Sequence, residues 1–458
     1  MGNRVVIVEP SGAADNVFSR YMKLPLLGPV ILGTVLRDAG FQVRILNESI
    51  LGRPVGPSDL DADFLLVGGL TCSALRGQEI ARMYRHWYPK GRVIMGGIHA
   101  TFMPEEALVV ADHVVTGEAE NVIVDLLKSG SDAKIIAGSA VKNLDDLPSP
   151  DFSLLAGAER MNVAPVMTSR GCPFECSFCT VTRMFGRRYR TNSVDAVMRD
   201  LDRARQPFVF FYDDNLTADL RRAHDLCDAI LRRRRRFQWS AQMRVDVARD
   251  PDLVAKMRAA GCCKVYIGLE SVDEAALRAY RKRQSVQDVQ HAVSVMHRNR
   301  IAVHGMFVLG CDDESATVAK DVLSYCLLNR IDTAQFLILT PFPGTPLFDS
   351  MKEQGRLLHT DWSYYDAMHV VFRPSKRTPL ALQNEMVDAF SQFYSYRGAL
   401  RDSFEAVTEA AGVVRRSNGA RRVLSAERAA LKVIGRTIVG RFLRQNAPYF
   451  GMLASQGP

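Results

Sequence analysis

"TSRGCPFECSFCTVTRMFGRRYR", residues 168–190, spaces three cysteines as Cys172-x3-Cys176-x2-Cys179 on one short stretch. Thiolates grouped this closely are metal ligands by type. A structural zinc site closes with four ligands, however, and no nearby cysteine or histidine completes this set. A four-iron cluster held by three cysteines leaves one iron open to a substrate, which accounts for the absent fourth thiol.

The surrounding pattern sets the scaffold. "APVMTSR", immediately before the cysteines, reads as a strand, and "FVFFYDD", "FQWSAQMRVD", "KVYIGLES", "AVHGMFVLG" and "TAQFLILTP" follow it. Helical segments such as "VDAVMRDLDRA", "PDLVAKMRAAG" and "VQDVQHAVSVMHRNR" separate them. Six strand-helix units predict a partial (β/α) barrel over residues 159–358, short of the eight units of a complete one, with functional groups at the carboxyl ends of the strands.

Residues 1–140 alternate in the same way. "NRVVIVEP", "FQVRILNES", "ADFLLVGGL", "GRVIMGGI" and "HVVTGEAE" are apolar runs separated by helical patterns. The expectation is a doubly wound α/β domain, Rossmann-like, with a parallel sheet covered on both faces. Ligands of such sheets lie beyond the carboxyl ends of the strands. Thr71, Ser73, Gly96, Gly97, His99, Gly117 and Glu118 occupy those ends, offering hydroxyls at the rim and glycines where backbone approaches a ligand closely; glycines that simply end strands are the plain alternative. "KNLDDLPSPDFSLL", residues 142–155, is polar and carries two prolines, so 141–158 reads as the linker.

The chain has 458 residues, 47% of them apolar, and a net charge of +9. Nine cysteines, mostly scattered singly, suit reduced thiols rather than a disulfide framework. No apolar run reaches the length of a spanning helix and the first residues lack the pattern of a secretion signal, so a cytoplasmic location is expected. The basicity does not mark a nucleic-acid binder. Residues Arg415 to Arg444 hold nine Lys or Arg and one acid, Glu427, leaving the rest of the chain at +1. The run Arg232 to Arg236 reads as the solvated carboxyl end of a helix, where cations face the negative end of its dipole.

With Phe178 next to the last cysteine, the motif Cys-x3-Cys-x-aromatic-Cys resembles the signature of the radical S-adenosylmethionine (SAM) superfamily. The first domain, with "GGIHATFMPEE" and "VVTGEAE", resembles the cobalamin-binding domain that precedes the barrel in one subgroup. The resemblance implies a [4Fe-4S] cluster on Cys172, Cys176 and Cys179, with SAM chelating its open iron. It also implies reductive cleavage of SAM to a 5'-deoxyadenosyl radical that abstracts hydrogen from a small-molecule substrate, and an external one-electron donor of flavodoxin or ferredoxin type.

Carried over by position, Phe178 lies against the adenine or packs the loop. Asp213 and Asp214 receive the SAM amino group or cap the following helix. Gln242 and Arg244 hold ribose and carboxylate, and Glu270 accepts from ribose hydroxyls. His304 reads as a structural histidine, and no residue is assigned as acid, base or radical quencher. A redox sensor that holds its cluster without catalysis is a different class of reading, disfavoured by this full set of SAM contacts.

Two outcomes stand open. In one, cobalamin delivers a methyl group and the enzyme is a methyltransferase. In the other, without cobalamin, the substrate radical undergoes dehydration or deoxygenation, rearrangement or cyclisation. The Asp-x-His-x-x-Gly motif that supplies a histidine to cobalt is absent: "EPSGAADNVFSRYMKLPLLG", after the first strand, contains no histidine. In the mainly helical region 359–458, Leu424, Leu431, Ile434, Ile438 and Phe442 form a helical stripe, with Arg428, Lys432, Arg436 and Arg441 largely elsewhere. Docking on the barrel is the expected use; contact with an anionic membrane or with an electron donor is the alternative. Trp362, Tyr364, Tyr365 and His369 suit a pocket wall or packing.

Overall fold

The computed structural model describes residues 2–12, 23–233, 236–410 and 419–456, with 405–410 and 419–427 described by backbone. Arg234 and Arg235, side chain Leu424 and residues 13–22 of the histidine-free loop lie outside the described residues.

The first sheet is parallel and ordered β2-β1-β3-β4-β5-β6, from β1 (Arg4–Glu9), β2 (Gln42–Asn47), β3 (Phe64–Gly69), β4 (Arg92–Gly96), β5 (His113–Thr116) and β6 (Ile135–Ala137). Helix α1 (Leu27–Asp38) and helix α2 (Ala74–Trp87) belong to the crossovers. Both faces are covered: Val6, Val8, Leu65 and Val67 belong to one apolar cluster, and Val5, Ile7, Phe64 and Leu66 to another. That two-sided burial is why these strands are continuous apolar runs rather than alternating ones. β6 is a short edge strand with half-exposed residues, and no apolar run announces it.

The second sheet is ordered β14-β13-β12-β11-β10-β7 and all its pairs are parallel. Its strands are β7 (Ala164–Val166), β10 (Phe208–Phe211), β11 (Gln238–Met243), β12 (Cys262–Glu270), β13 (Ala302–Leu309) and β14 (Thr333–Ile338). These are the six anticipated strands, with one difference. The first stops at Val166, and Ser169–Arg170 (β8) leaves the barrel to pair antiparallel with Arg190–Thr191 (β9). The cysteine stretch is therefore a loop tied at its neck. Gly171, at φ 87°, passes so close to the Arg188 carbonyl that a Cβ would stand 2.8 Å from it.

Alternation in the barrel separates wall from lumen. Val265, Ile267, Val303, Phe307, Ala334 and Phe336 face the helices and form the core. Their neighbours Gln242, Tyr266, Met306, Gln335 and Leu337 are only half-buried, on the opposite face.

After the barrel come helix α3 (Pro379–Phe393), helix α4 (Tyr396–Ala410), helix α5 (Gly419–Gln445) and helix α6 (Ala447–Ser455). Helix α5 docks as expected, but through a face shifted by one residue. Ala429, Lys432, Val439 and Phe442 are buried, whereas Leu431, Ile434 and Ile438 are half-buried. Lys432 is held inside by Asp402 at 2.7 Å, and Gly435 leaves room for the ring of Tyr394. Arg233 likewise departs from the solvated reading, donating to the Met198 carbonyl and pairing with Asp202.

Candidate active site

The neck of the cysteine loop is fixed from both domains. Asp213, at the end of β10, is buried, and its Oδ1 accepts from the Thr168 amide and hydroxyl, both at 3.1 Å, and from the Ser169 hydroxyl. Burial pushes its carboxyl up to about 6. Asp213 thus positions the strand that launches the loop, and its other oxygen is buried without a partner. Asp214 is exposed beside it, accepts from the Gly171 amide, and raises the thiols of Cys172 and Cys179 by its charge.

The cysteines lie near enough for each to influence the next, and burial is the main cause that pushes Cys179 up to about 12 and raises Cys172. Such thiols give up their protons to metal, so cluster assembly at this loop releases protons. Among the described residues no three Cys, His, Asp or Glu side chains converge on a point fit for one ion. Ser177 anchors the loop to the barrel, its amide donating to the Tyr280 carbonyl at 3.1 Å. Phe178 meets the Tyr280 ring edge-on, centroids 5.4 Å apart.

Arg244 stands beside the loop, nearly buried, its guanidinium 3.8 Å from the centre of the Phe174 ring. Its Nε donates to Asp246 at 2.9 Å and its Nη2 to the Lys282 carbonyl. Nη1 is buried with no partner, a donor held ready for an anion. Glu270 sits at a bulge of β12 with φ 61°, a conformation a glutamate rarely adopts. Lys282, itself buried, donates to one carboxylate oxygen of Glu270 at 2.5 Å, so the buried acid is compensated by a cation. Gln242 lies level with Tyr266 on the lumen side. His304 is a satisfied structural histidine: Nδ1 pairs with the Thr333 hydroxyl at 2.7 Å and Nε2 with Gln335 at 3.3 Å, and burial lowers its pKa to about 3.

In the first domain a small cleft opens at the carboxyl ends of β1, β3 and β4, between Pro10, Gly69, Gly77, Gly96, Ser73 and His99. This is where the strand order reverses and ligands of open α/β sheets bind. Glycine is required for its shape: a Cβ on Gly69 would stand 2.5 Å from the Ser73 hydroxyl, and one on Gly97, at φ 85°, 2.9 Å from the Gly69 nitrogen. His99 is buried, and its Nε2 faces the Glu106 carboxylate at 3.7 Å. The cleft is narrow and admits only a slender group.

Of the seven predicted rim residues, Ser73, Gly96 and His99 line this cleft. Thr71 is buried in the turn after β3, and Gly97 packs backbone to backbone. Gly117, at φ 74°, forms a turn whose amide donates to Thr101. Glu118 does not stand at the ligand rim. It accepts from Arg170 and Arg190 and from the Val141 amide, all buried, and so clamps the first domain to the neck of the cysteine loop. Its oxygens are consumed by this staple and are not offered to a ligand. Arg170, Arg190, Lys282 and Phe174 escaped the sequence reading because their partners lie far along the chain. Trp362, Tyr365 and His369 are buried packing groups; Trp362 reaches back to the first domain, its ring 5.1 Å from His99.

A tied loop of three cysteines thus stands at the mouth of a partial barrel, joined to a sheet that opens a glycine cleft. Residues 166–320 match the model of the radical SAM superfamily and residues 15–127 that of the B12 binding domain. The chain belongs to the radical SAM superfamily, in the group that carries a B12 binding domain ahead of the barrel. It is 30% identical over 419 residues to an uncharacterized methyltransferase of Pyrococcus horikoshii, covering 83% of this chain and 90% of that protein. It is 29% identical over 389 residues to the bacteriochlorophyllide d C-12(1)-methyltransferase of Chlorobaculum tepidum, covering 81% and 83%. The fold is shared with the cobalamin-dependent SAM radical enzyme OxsB, at a TM-score of 0.68 and 14% identity over 95% of this chain and 72% of that one. The alternative of a reaction without cobalamin gives way to these matches. Among the described residues no helix is long and apolar enough to cross a membrane.

Proposed function

We propose that this protein is a cobalamin-dependent radical SAM methyltransferase that acts on a carbon atom of a small molecule with an apolar body. The observation that carries the reading is that similarity to chains named as methyltransferases runs through both domains at once. Tyr266, Met306 and Leu337 on the lumen side, interspersed with Gln242 and Gln335, supply a wall that is apolar with a few hydrogen-bonding points. The bacteriochlorophyllide named for one relative is a substrate of that kind.

When bound, the cluster with SAM supplies a radical able to take hydrogen from an unactivated carbon, and cobalamin supplies the methyl group. Cys172, Cys176 and Cys179 hold the cluster. The unpartnered Nη1 of Arg244 takes the SAM carboxylate, and Asp214 the amino group. Gln242 and the Glu270–Lys282 pair position the ribose, and the Phe178 ring borders the adenine. Asp213 acts at one remove by holding Thr168 and Ser169. The cleft at Gly69, Gly96 and His99 seats the cobalamin tail. The electron arrives from an external donor of flavodoxin or ferredoxin type.

The test uses the reconstituted full chain with hydroxocobalamin and methyl-labelled SAM. Expected are cobalamin retained through gel filtration, 5'-deoxyadenosine on reduction, and label transferred to an apolar metabolite with two SAM consumed per product. Consumption of one SAM without label transfer would instead indicate rearrangement or cyclisation.

A further inference from the structure

Helix α4 turns Ala399 and Asp402 inward, where Asp402 meets Lys432 of helix α5. Its other face is bare. Tyr396, Leu400 and Phe404 recur every fourth residue, so they lie on one stripe, and they are 60%, 69% and 70% exposed. Other exposed large apolar side chains, such as Trp87, Val109 and Leu328, stand on separate elements. Arg397 and Arg401, each following a stripe residue, are exposed as well. Helix α4 also carries Asp402, Glu405 and Glu409, and residues 396–444 as a whole hold eleven Lys or Arg against four acids.

We propose that this face of helix α4 seats the protein on an anionic lipid surface. Aromatic and leucine side chains on one stripe, bordered by arginines, are the pattern of a helix that lies in the headgroup boundary. The arginine stems extend the apolar face while their heads reach lipid phosphates. Charge argues against a second copy of the chain as occupant, because residues 396–444 carry a net +7 in each copy. Position argues against the electron donor. The helices after the barrel pack on β14, one edge of the second sheet, whereas the cysteine loop leaves from β7 at the other edge. A surface-seated enzyme could draw an apolar substrate directly from the lipid phase, where such molecules concentrate.

Flotation of the full-length protein with vesicles tests this. Vesicles of phosphatidylglycerol in phosphatidylcholine should carry the protein up, pure phosphatidylcholine vesicles should not, and added salt should weaken the binding. Leu400→Glu with Phe404→Glu should cut the bound fraction at least tenfold, and Arg397→Glu with Arg401→Glu should act in the same direction. Thermal unfolding and 5'-deoxyadenosine formation in solution should stay unchanged in both. A wild-type chain that fails to float, or variants that float as it does, overturns the proposal. So does sedimentation showing that these substitutions dissolve a dimer, or titration showing that they abolish binding of an acidic flavodoxin.

Discussion

The indole N–H of Trp362 donates to both carboxylate oxygens of Glu106, at 2.9 and 2.8 Å, joining the segment after the barrel to the first domain. Gln78 donates to the same carboxylate at 2.8 Å, and the His99 ring of the cleft rests against the indole. One tryptophan therefore closes the ring of contacts around the glycine cleft. Trp362→Phe keeps the aromatic packing and removes the donor, and hydrogen bonds to charged groups are worth about 1.5 to 3 kcal/mol. Denaturant unfolding should show a loss near the lower figure, and gel filtration a reduced retention of hydroxocobalamin.

Replacing Cys172, Cys176 or Cys179 by alanine should abolish SAM cleavage and lower bound iron, since each removes one of three ligands. Cys227 and Cys326 are buried in the barrel core, so their alanine variants should keep full iron content. Iron and sulfide analysis after reconstitution separates the two groups. A cluster fully retained in any of the first three variants would remove the assignment.

The staple at Glu118 makes a prediction about domain docking. Removing one partner of a buried ion pair costs roughly 3 to 5 kcal/mol because a charge is left uncompensated. Arg190→Met should reach this range, since Arg170, the cation that remains, is shared between Glu118 and Glu120. Urea unfolding should show the loss, and trypsin should cut between the domains sooner than in the wild type.

Asp213 predicts a pH dependence. Its folded carboxyl titrates near 6 against an ordinary 3.8, because burial disfavours the charge. The folded chain then holds this proton more tightly than the unfolded chain. Stability is highest with the proton bound and falls as pH rises from about 4 to 6, by up to about 3 kcal/mol at one pKa unit per 1.36 kcal/mol. Asp213→Asn carries no titrating group. The stability of the wild type relative to this variant should decline across that window and be flat above it, as read by unfolding at fixed pH values.

Arg244→Ala should weaken SAM binding by about 1 to 3 kcal/mol, the scale of a charged hydrogen bond, with the cluster intact. Glu270→Ala should do the same, with an added loss of stability from the Lys282 ammonium left buried. Calorimetry that finds unchanged SAM affinity in both would reassign these positions.

The sequence by itself determined the class of the protein. The Cys172, Cys176, Cys179 spacing is local chemistry, and apolar strand runs between amphipathic helices report burial on both sheet faces without any knowledge of partners. Five strands of the first sheet and all six barrel strands were legible for that reason, as was the fate of His304. The tertiary structure alone decided what depends on distant partners. It made Glu118 an interdomain clamp, because Arg170 and Arg190 arrive from the neck of the cysteine loop. It turned Asp213 toward Thr168, paired Glu270 with Lys282, and brought Trp362 to Glu106. It also shifted the buried face of helix α5 by one residue, because the Lys432–Asp402 pair and the Tyr394 ring against Gly435 outweigh an apolar stripe read along one helix. A charge at a strand end carries no local mark of its partner, since the partner is chosen by which strands the fold sets side by side.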